Sequence, residues 1–351
     1  MRSFVYTALP ARVVFGVGAL DKLGEEIERL GAQRALVLST PEQRASAEDV
    51  AKRLGPRAAG VYDKAVMHTP IEAAEAARRV AAELKADCCV AIGGGSTTGL
   101  GKAIALTSSL PIVAIPTTFA GSEMTPIQGI TAGGVKKTVR DLRMLPRTVI
   151  YDPRLLLTLP ARIAGPSGMN GIAHCVEALY AQDANPVTSL MAEEGIRALA
   201  QSLPTVVREP QNLEARGEAL YGAWLAGASL GAVGMALHHK LCHTLGGSFN
   251  LPHAETHTIV LPHATRYNAP AALEAMLRIA RALGASDPAE GLYDLAKAID
   301  APLALKDIGM PADGLDRAAD LAVTNPYWNP RPLERGAIRE LLQAAWEGRR
   351  P

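Results

Sequence analysis

The stretch CCVAIGGGSTTGLGKAIAL, residues 88–106, decides how this chain is to be read. Cys88 to Ile92 is a short run without a polar side chain, the pattern of a strand covered on both faces. Gly93, Gly94 and Gly95 interrupt it, and from Thr97 to Leu106 the pattern is helical. A strand that feeds a glycine loop and then a helix N-terminus points unpaired backbone N–H groups at one spot. No Cβ atoms stand in the way there, and the helix dipole favours negative charge. Such a spot suits a phosphate. The loop matches neither common fingerprint. In the Rossmann pattern Thr98 stands in place of the last glycine. In the Walker A pattern Ser96 replaces the first glycine, and Ala103 replaces the hydroxyl residue after Lys102.

Outward from this join the same alternation continues. Ala35 to Ser39 reads as a strand, Ile71 to Leu84 as a helix and Ile112 to Ile115 as the next strand. That last strand runs into PTTFAGSE, residues 116–123, which brings the hydroxyls of Thr117 and Thr118 to the same sheet edge as the glycine loop. Strands alternating with helices predict a parallel sheet. A further run, Thr148 to Tyr151, ends at Asp152-Pro153, beyond which helical patterns take over: Val187 to Leu203, Leu213 to Leu230, Ala271 to Leu283 and Leu333 to Trp346. The expected architecture is an α/β Rossmann-like dinucleotide-binding domain over residues 1–153, followed by an all-α domain over residues 154–351.

Composition agrees with an enzyme acting on a small molecule. With 351 residues, 48% of them apolar, there is material for two packed domains. The formal charge, 36 − 35 = +1, lacks the basic field that nucleic acid or an anionic membrane would call for. No segment approaches the ~18 uninterrupted apolar residues of a membrane span, and the N-terminus has no apolar h-region. The four cysteines, Cys88, Cys89, Cys175 and Cys242, form no C-x-x-C pair, so neither a zinc ribbon nor a disulfide framework is expected. Reduced thiols suit the cytoplasm.

The second half carries a concentration of histidine: all but one of the eight lie between residues 174 and 263. Asn170 and His174 are four apart on the predicted helix Ser167 to Tyr180, and His239 and His243 repeat that spacing on the segment Gly234 to Leu245. His253 follows, with His257 and His263 beyond it. Imidazoles converge either to hold a metal or to move protons. His174, His239 and His253 can supply three nitrogens. Asn170 adds only a neutral carbonyl where a divalent ion is better served by a carboxylate, which weakens the metal reading.

The motifs together resemble the iron-containing (group III) alcohol dehydrogenase family, and within it the branch of maleylacetate reductases. They are FVY (4–6) with VFGVG (14–18), GGGSTTGLGKAIAL (93–106), PTTFAGSEMTPI (116–127), GMNGIAHCVEALYA (168–181), His239-x3-His243 with LGGSFNLPH (245–253), and NPYWNPRPL (325–333). The resemblance implies a dehydroquinate synthase-like fold and cofactor contacts at Gly94, Gly95, Ser96, Thr117, Thr118 and Lys137. It places the family's metal ligands at Asn170, His174, His239 and His253, with the family's aspartate missing, as expected of a branch that works without added metal. After the strand ending Val37-Leu38-Ser39-Thr40 there is no acidic residue of the kind that contacts the adenosine ribose in many relatives. Ser39 and Thr40 tolerate a 2′-phosphate better than a carboxylate would, so NADH or NADPH is expected.

The implied reaction is reduction of maleylacetate to 3-oxoadipate, a small dicarboxylate substrate, by a homodimer. His243 and His253 are then expected to supply a donor to the ketone oxygen and a proton to carbon, with Lys136, Arg140 and Lys240 as candidate cations for the dianion. The competing expectations are a metal-dependent alcohol or polyol dehydrogenase and a nucleotide- or sugar-binding module without chemistry.

Overall fold

The computed structural model describes residues 4–9, 11–67, 69–132 and 135–351, and side chains for all of these except 130–137. The chain divides into two units, Leu9–Leu159 and Pro160–Pro351, the latter joined by residues 4–8.

The first unit contains strands β1 (Arg12–Phe15), β2 (Ala35–Leu38), β3 (Ala58–Tyr62), β4 (Cys88–Gly93), β5 (Ile112–Pro116), β6 (Ile127–Ala132), β7 (Val135–Arg140) and β8 (Thr148–Tyr151). Its helices are α1 (Leu23–Arg29), α2 (Arg44–Leu54), α3 (Ile71–Glu83) and α4 (Gly95–Ser108). Six strands form one parallel sheet in the order β1-β8-β5-β4-β2-β3. Side chains alternate across it. Val37, Cys88, Val90 and Ile92 pack with Leu23, Ile27 and Val50 of α1 and α2, whereas Leu36, Leu38 and Cys89 pack with Ala77 and Ala81 of α3 and Leu100 and Ile104 of α4. Both faces are therefore apolar, which is why these strands read as continuous apolar runs.

From β2 the chain moves outward to β3, and from β4 it moves the other way to β5. Connections that leave in opposite directions open a crevice at the carboxyl ends of β2 and β4. β6 and β7 form a separate antiparallel ribbon, Ile127 opposite Arg140. Its β-branched and charged residues give no apolar run, so the sequence pattern does not mark it.

The expected break at Pro153 is displaced to Leu159–Pro160. Asp152 caps the 3-10 turn Pro153–Leu156, and its carboxylate accepts from the N–H groups of Gly18 and Leu20 at 3.2 Å, which holds this turn to the sheet.

The second unit is helical: α5 (Ala161–Tyr180), α6 (Pro186–Arg208), α7 (Leu213–Ala232), α8 (Leu237–Phe249), α9 (His253–Asn268), α10 (Leu273–Leu283), α11 (Pro288–Ala298), α12 (Gly314–Val323) and α13 (Arg335–Glu347). Among the described residues it has no strand. One core joins Leu237, Leu241, Leu245 and Val260 of α8 and α9 to Ala318 and Leu342 of α12 and α13. α5 is buried from Ala164 to Tyr180, so every polar side chain in that span must find a partner inside the protein. The four cysteines are buried and unpaired with one another. Among the described residues no single helix is long and apolar enough to cross a membrane.

Candidate active site

The glycine loop lies at the crevice between β2 and β4. Gly93 ends β4 with φ +152°, where a side chain is strained, and a Cβ there would run into Thr97 Oγ1 and come to 2.8 Å from Gln43 Oε1. Gly94 is the N-cap of α4, and a Cβ on it would stand 2.9 Å from Thr118 Cγ2. Gly95, the first helical residue, is exposed and faces open space. Ser96 beside it is half-buried. No side chain caps this helix, which leaves its first N–H groups for a ligand. Thr117 N–H donates to Gly93 O at 3.0 Å, so the β5 loop is laced to the glycine loop. Thr117 is buried and Thr118 half-buried.

Gly93→Ala is expected to lower stability by about 2–4 kcal/mol through strain and overpacking together. Chemical denaturation checks this; an unchanged midpoint would mean that the backbone adapts.

One expected cofactor contact is closed off, and the side chain of another lies outside the described residues. Ser39 is fully buried, its Oγ without a hydrogen-bond partner and its backbone bonded to Tyr62 O and Ala65 N, so its hydroxyl is shut away from a ribose. The residue that reaches the loop instead is Gln43, whose Nε2 donates to Thr117 Oγ1 at 2.8 Å. No motif signals it, because the contact spans 74 residues of sequence. Lys137 lies on β7 opposite Ile130, and its side chain, like that of Lys136, is outside the described residues. Arg140, at the end of that strand, is exposed.

In the helical unit the histidines converge from α5, α8 and α9. Asn170, His174 and Glu177 lie on one face of α5 at i, i+4 and i+7, all buried. His239 and His243 are one turn apart on α8, and His253 opens α9 with His257 one turn on. The ring centroids of His174 and His239 are 5.0 Å apart and stacked, those of His239 and His257 are 5.0 Å apart, and those of His253 and His257 are 4.3 Å apart.

Glu177, absent from the residues singled out in the sequence, organises this cluster. Its carboxylate accepts from the backbone N–H groups of Ala236 and His238, each at 2.7 Å, and from His239 Nδ1 at 2.7 Å. It thus caps α8 and orients His239 at once. A carboxylate against Nδ1 requires the proton on that nitrogen, leaving His239 Nε2 as an acceptor. His174 Nδ1, 2.9 Å from His239 Nε2, must then be the donor. Glu177 lies within the motif 168–181, three residues after His174, and that spacing was the available signal.

The remaining histidines separate by environment. His243 is half-buried, and its Nδ1 is 3.0 Å from the hydroxyl of Tyr327, a residue of the motif 325–333. Lys240 Nζ lies 6.0 Å from the centre of the same Tyr327 ring and donates to Thr324 O. His238 Nε2 pairs with His257 Nδ1 at 2.9 Å, and Cys242 Sγ is 3.6 Å from that His238 nitrogen. Burial pushes the two imidazoles well below their usual range and the thiol well above its own, so this trio is a neutral core contact. Six residues beyond His257 on α9, buried His263 is pulled down to about 4 by desolvation.

The residues matching the family's metal ligands offer three imidazoles but no carboxylate. Asn170 is neutral, with its Oδ1 buried and unpartnered. His174 Nδ1 and His239 Nε2 face each other at 2.9 Å, and Glu177 fixes His239 through Nδ1.

A parallel α/β unit with an uncapped glycine loop at its crevice, followed by a helical unit carrying a histidine cluster, defines a nicotinamide-dependent oxidoreductase. The chain belongs to the iron-containing alcohol dehydrogenase family: residues 10–153 match the iron-containing alcohol dehydrogenase description, and residues 165–346 match the Fe-containing alcohol dehydrogenase family, C-terminal. It is 63% identical to a maleylacetate reductase of Burkholderia cepacia over 100% of both chains. It is 57% identical to one of Sphingobium indicum over 99% of both chains. Among solved structures it resembles maleylacetate reductase from Agrobacterium tumefaciens, with a TM-score of 0.96 and 54% identity over 100% of both chains.

Proposed function

We propose that this chain reduces maleylacetate to 3-oxoadipate with NADH or NADPH, in the cytoplasm and as a homodimer, without a metal in the reaction. The observation that carries this reading is Asn170, a neutral side chain with a buried, unpartnered Oδ1 where the wider family has a metal-binding carboxylate. Full-length identity to maleylacetate reductases supports the substrate.

The cofactor supplies hydride, and the chain's own residues handle charge and protons. Hydride adds to the alkene carbon remote from the ketone, and the electron pair moves onto the ketone oxygen. That oxygen needs a donor, and the carbon next to it then takes a proton as the carbonyl re-forms. His243 and His253 supply these two functions. His243 is steadied for its part by Tyr327. Lys240, close to the same tyrosine, is a candidate cation for a substrate carboxylate. On the nucleotide side, the N–H groups at the start of α4 take the pyrophosphate, while Thr117 and Thr118 close the loop from β5.

The test is oxidation of NADH and NADPH with maleylacetate after chelator treatment, alongside simple aldehydes and ketones. Rapid, chelator-resistant turnover of maleylacetate is expected. Activity seen only with simple carbonyls, and only after Fe²⁺ or Zn²⁺ is returned, would make this a metal-dependent alcohol dehydrogenase instead.

A further inference from the structure

We propose that Lys102 is a positioning residue for the nucleotide, its buried ammonium tying segment 116–127 to α4 and so setting Thr117 and Thr118 against the glycine loop. The inference rests on the nucleotide reading of that loop.

Lys102 stands on α4, seven residues beyond Gly95, and is 0% exposed. An ammonium buried this deeply is tolerated only when its protons are met. Nζ donates to Ser122 O at 2.6 Å, Ile127 O at 2.8 Å and Thr125 Oγ1 at 2.9 Å, with Ser122 Oγ at 3.3 Å. These acceptors all lie on the segment that follows Thr117 and Thr118. A lysine in a helix that starts from a glycine loop would ordinarily be read as a phosphate ligand. Here its protons are already committed to protein oxygens.

The same segment is held from a second side. Glu123 is buried and accepts from the Tyr151 hydroxyl of β8 at 2.7 Å. It is also the counter-charge of Lys102: desolvation pulls the lysine down to about 7, and Glu123 opposes that pull. At the near end, Thr117 N–H is bonded to Gly93 O at 3.0 Å, and Thr118 packs where a Cβ on Gly94 would be. The chain of contacts from Lys102 to the glycine loop is continuous, so a shift of the segment carries the two threonine hydroxyls with it.

A purely structural lysine would leave nucleotide affinity alone once the protein is folded. The experiment compares the parent, Lys102→Met and Thr125→Val by fluorescence titration with NADH, steady-state kinetics with maleylacetate, and circular dichroism. Folded K102M is expected to raise Kd and KM for NADH about tenfold, with kcat at saturating NADH and KM for maleylacetate within about threefold of the parent. A folded K102M whose Kd for NADH stays within about threefold, or whose loss falls on kcat alone, overturns the proposal. If K102M does not fold, T125V decides: a rise in Kd for NADH above about twofold supports the proposal, and a smaller one overturns it. Where the parent binds only NADPH, the same titrations are read with NADPH; a parent that binds neither would instead remove the nucleotide reading beneath the proposal.

Discussion

Replacing His243 by alanine is expected to lower kcat/KM for maleylacetate by at least about 100-fold, with Kd for NADH unchanged. Two histidines stand one turn apart on α8 in different surroundings. His239 is buried, and both its nitrogens are engaged, Nδ1 with Glu177 and Nε2 with His174. A ring so placed cannot exchange a proton with substrate without breaking its chain. His243 is half-buried and is oriented through Nδ1 by the Tyr327 hydroxyl. In the proposed mechanism His243 is therefore the ring assigned to proton transfer, and His239 is held in place by its two partners. Tyr327→Phe should cost less, about tenfold, because it removes the steadying hydroxyl but leaves the imidazole. Steady-state kinetics on both variants checks the pair, and turnover of His243→Ala within threefold of the parent would sink the assignment.

The second large effect is expected at Glu177. Glu177→Ala should destabilise the protein by about 3–5 kcal/mol, because two backbone N–H groups at the start of α8 and one imidazole N–H lose their acceptor inside the protein. Chemical denaturation measures this, and a midpoint equal to the parent's would show that water or a neighbour replaces the carboxylate. Glu177→Gln separates the second function of the residue. The amide keeps the volume and one acceptor oxygen, but its NH₂ group must face a donor: in the Oε2 position it meets Ala236 N–H and His239 Nδ1, where it favours the other tautomer. That change disrupts the donor order along the chain to His174. Activity is expected to fall at least about tenfold with a stability loss of about 1–2 kcal/mol. Full activity in the folded Gln variant would mean that the tautomer order does not matter to turnover.

The α/β unit was legible because its signals are local. An unbroken apolar strand, three glycines and a helical pattern within residues 88–106 give a phosphate loop whatever follows. The parallel sheet shows itself as apolar runs because helices cover both of its faces. The i, i+4 pairs Asn170/His174 and His239/His243 likewise shared a helix face once α5 and α8 formed. The β6–β7 ribbon was not legible, since alternating charged and β-branched residues leave no core signature.

What the sequence by itself determined is which groups are available: a glycine loop at a strand end, a set of histidines, and an asparagine where the wider family has a carboxylate. What only the tertiary structure decided is which atoms are already committed. Ser39, expected to contact the cofactor, is closed in by the neighbouring β3 end and the loop after it, whereas Gln43 reaches Thr117 across 74 residues. Lys102, on the helix that follows the glycine loop, is turned inward by carbonyls of a segment 20 to 25 residues away. Glu177 reads as one carboxylate among many until the start of α8, some 60 residues on, delivers three N–H groups to it. Local periodicity governs which face a side chain takes. A buried hydrogen bond depends on a partner brought in by packing, and nothing local to either residue encodes the meeting.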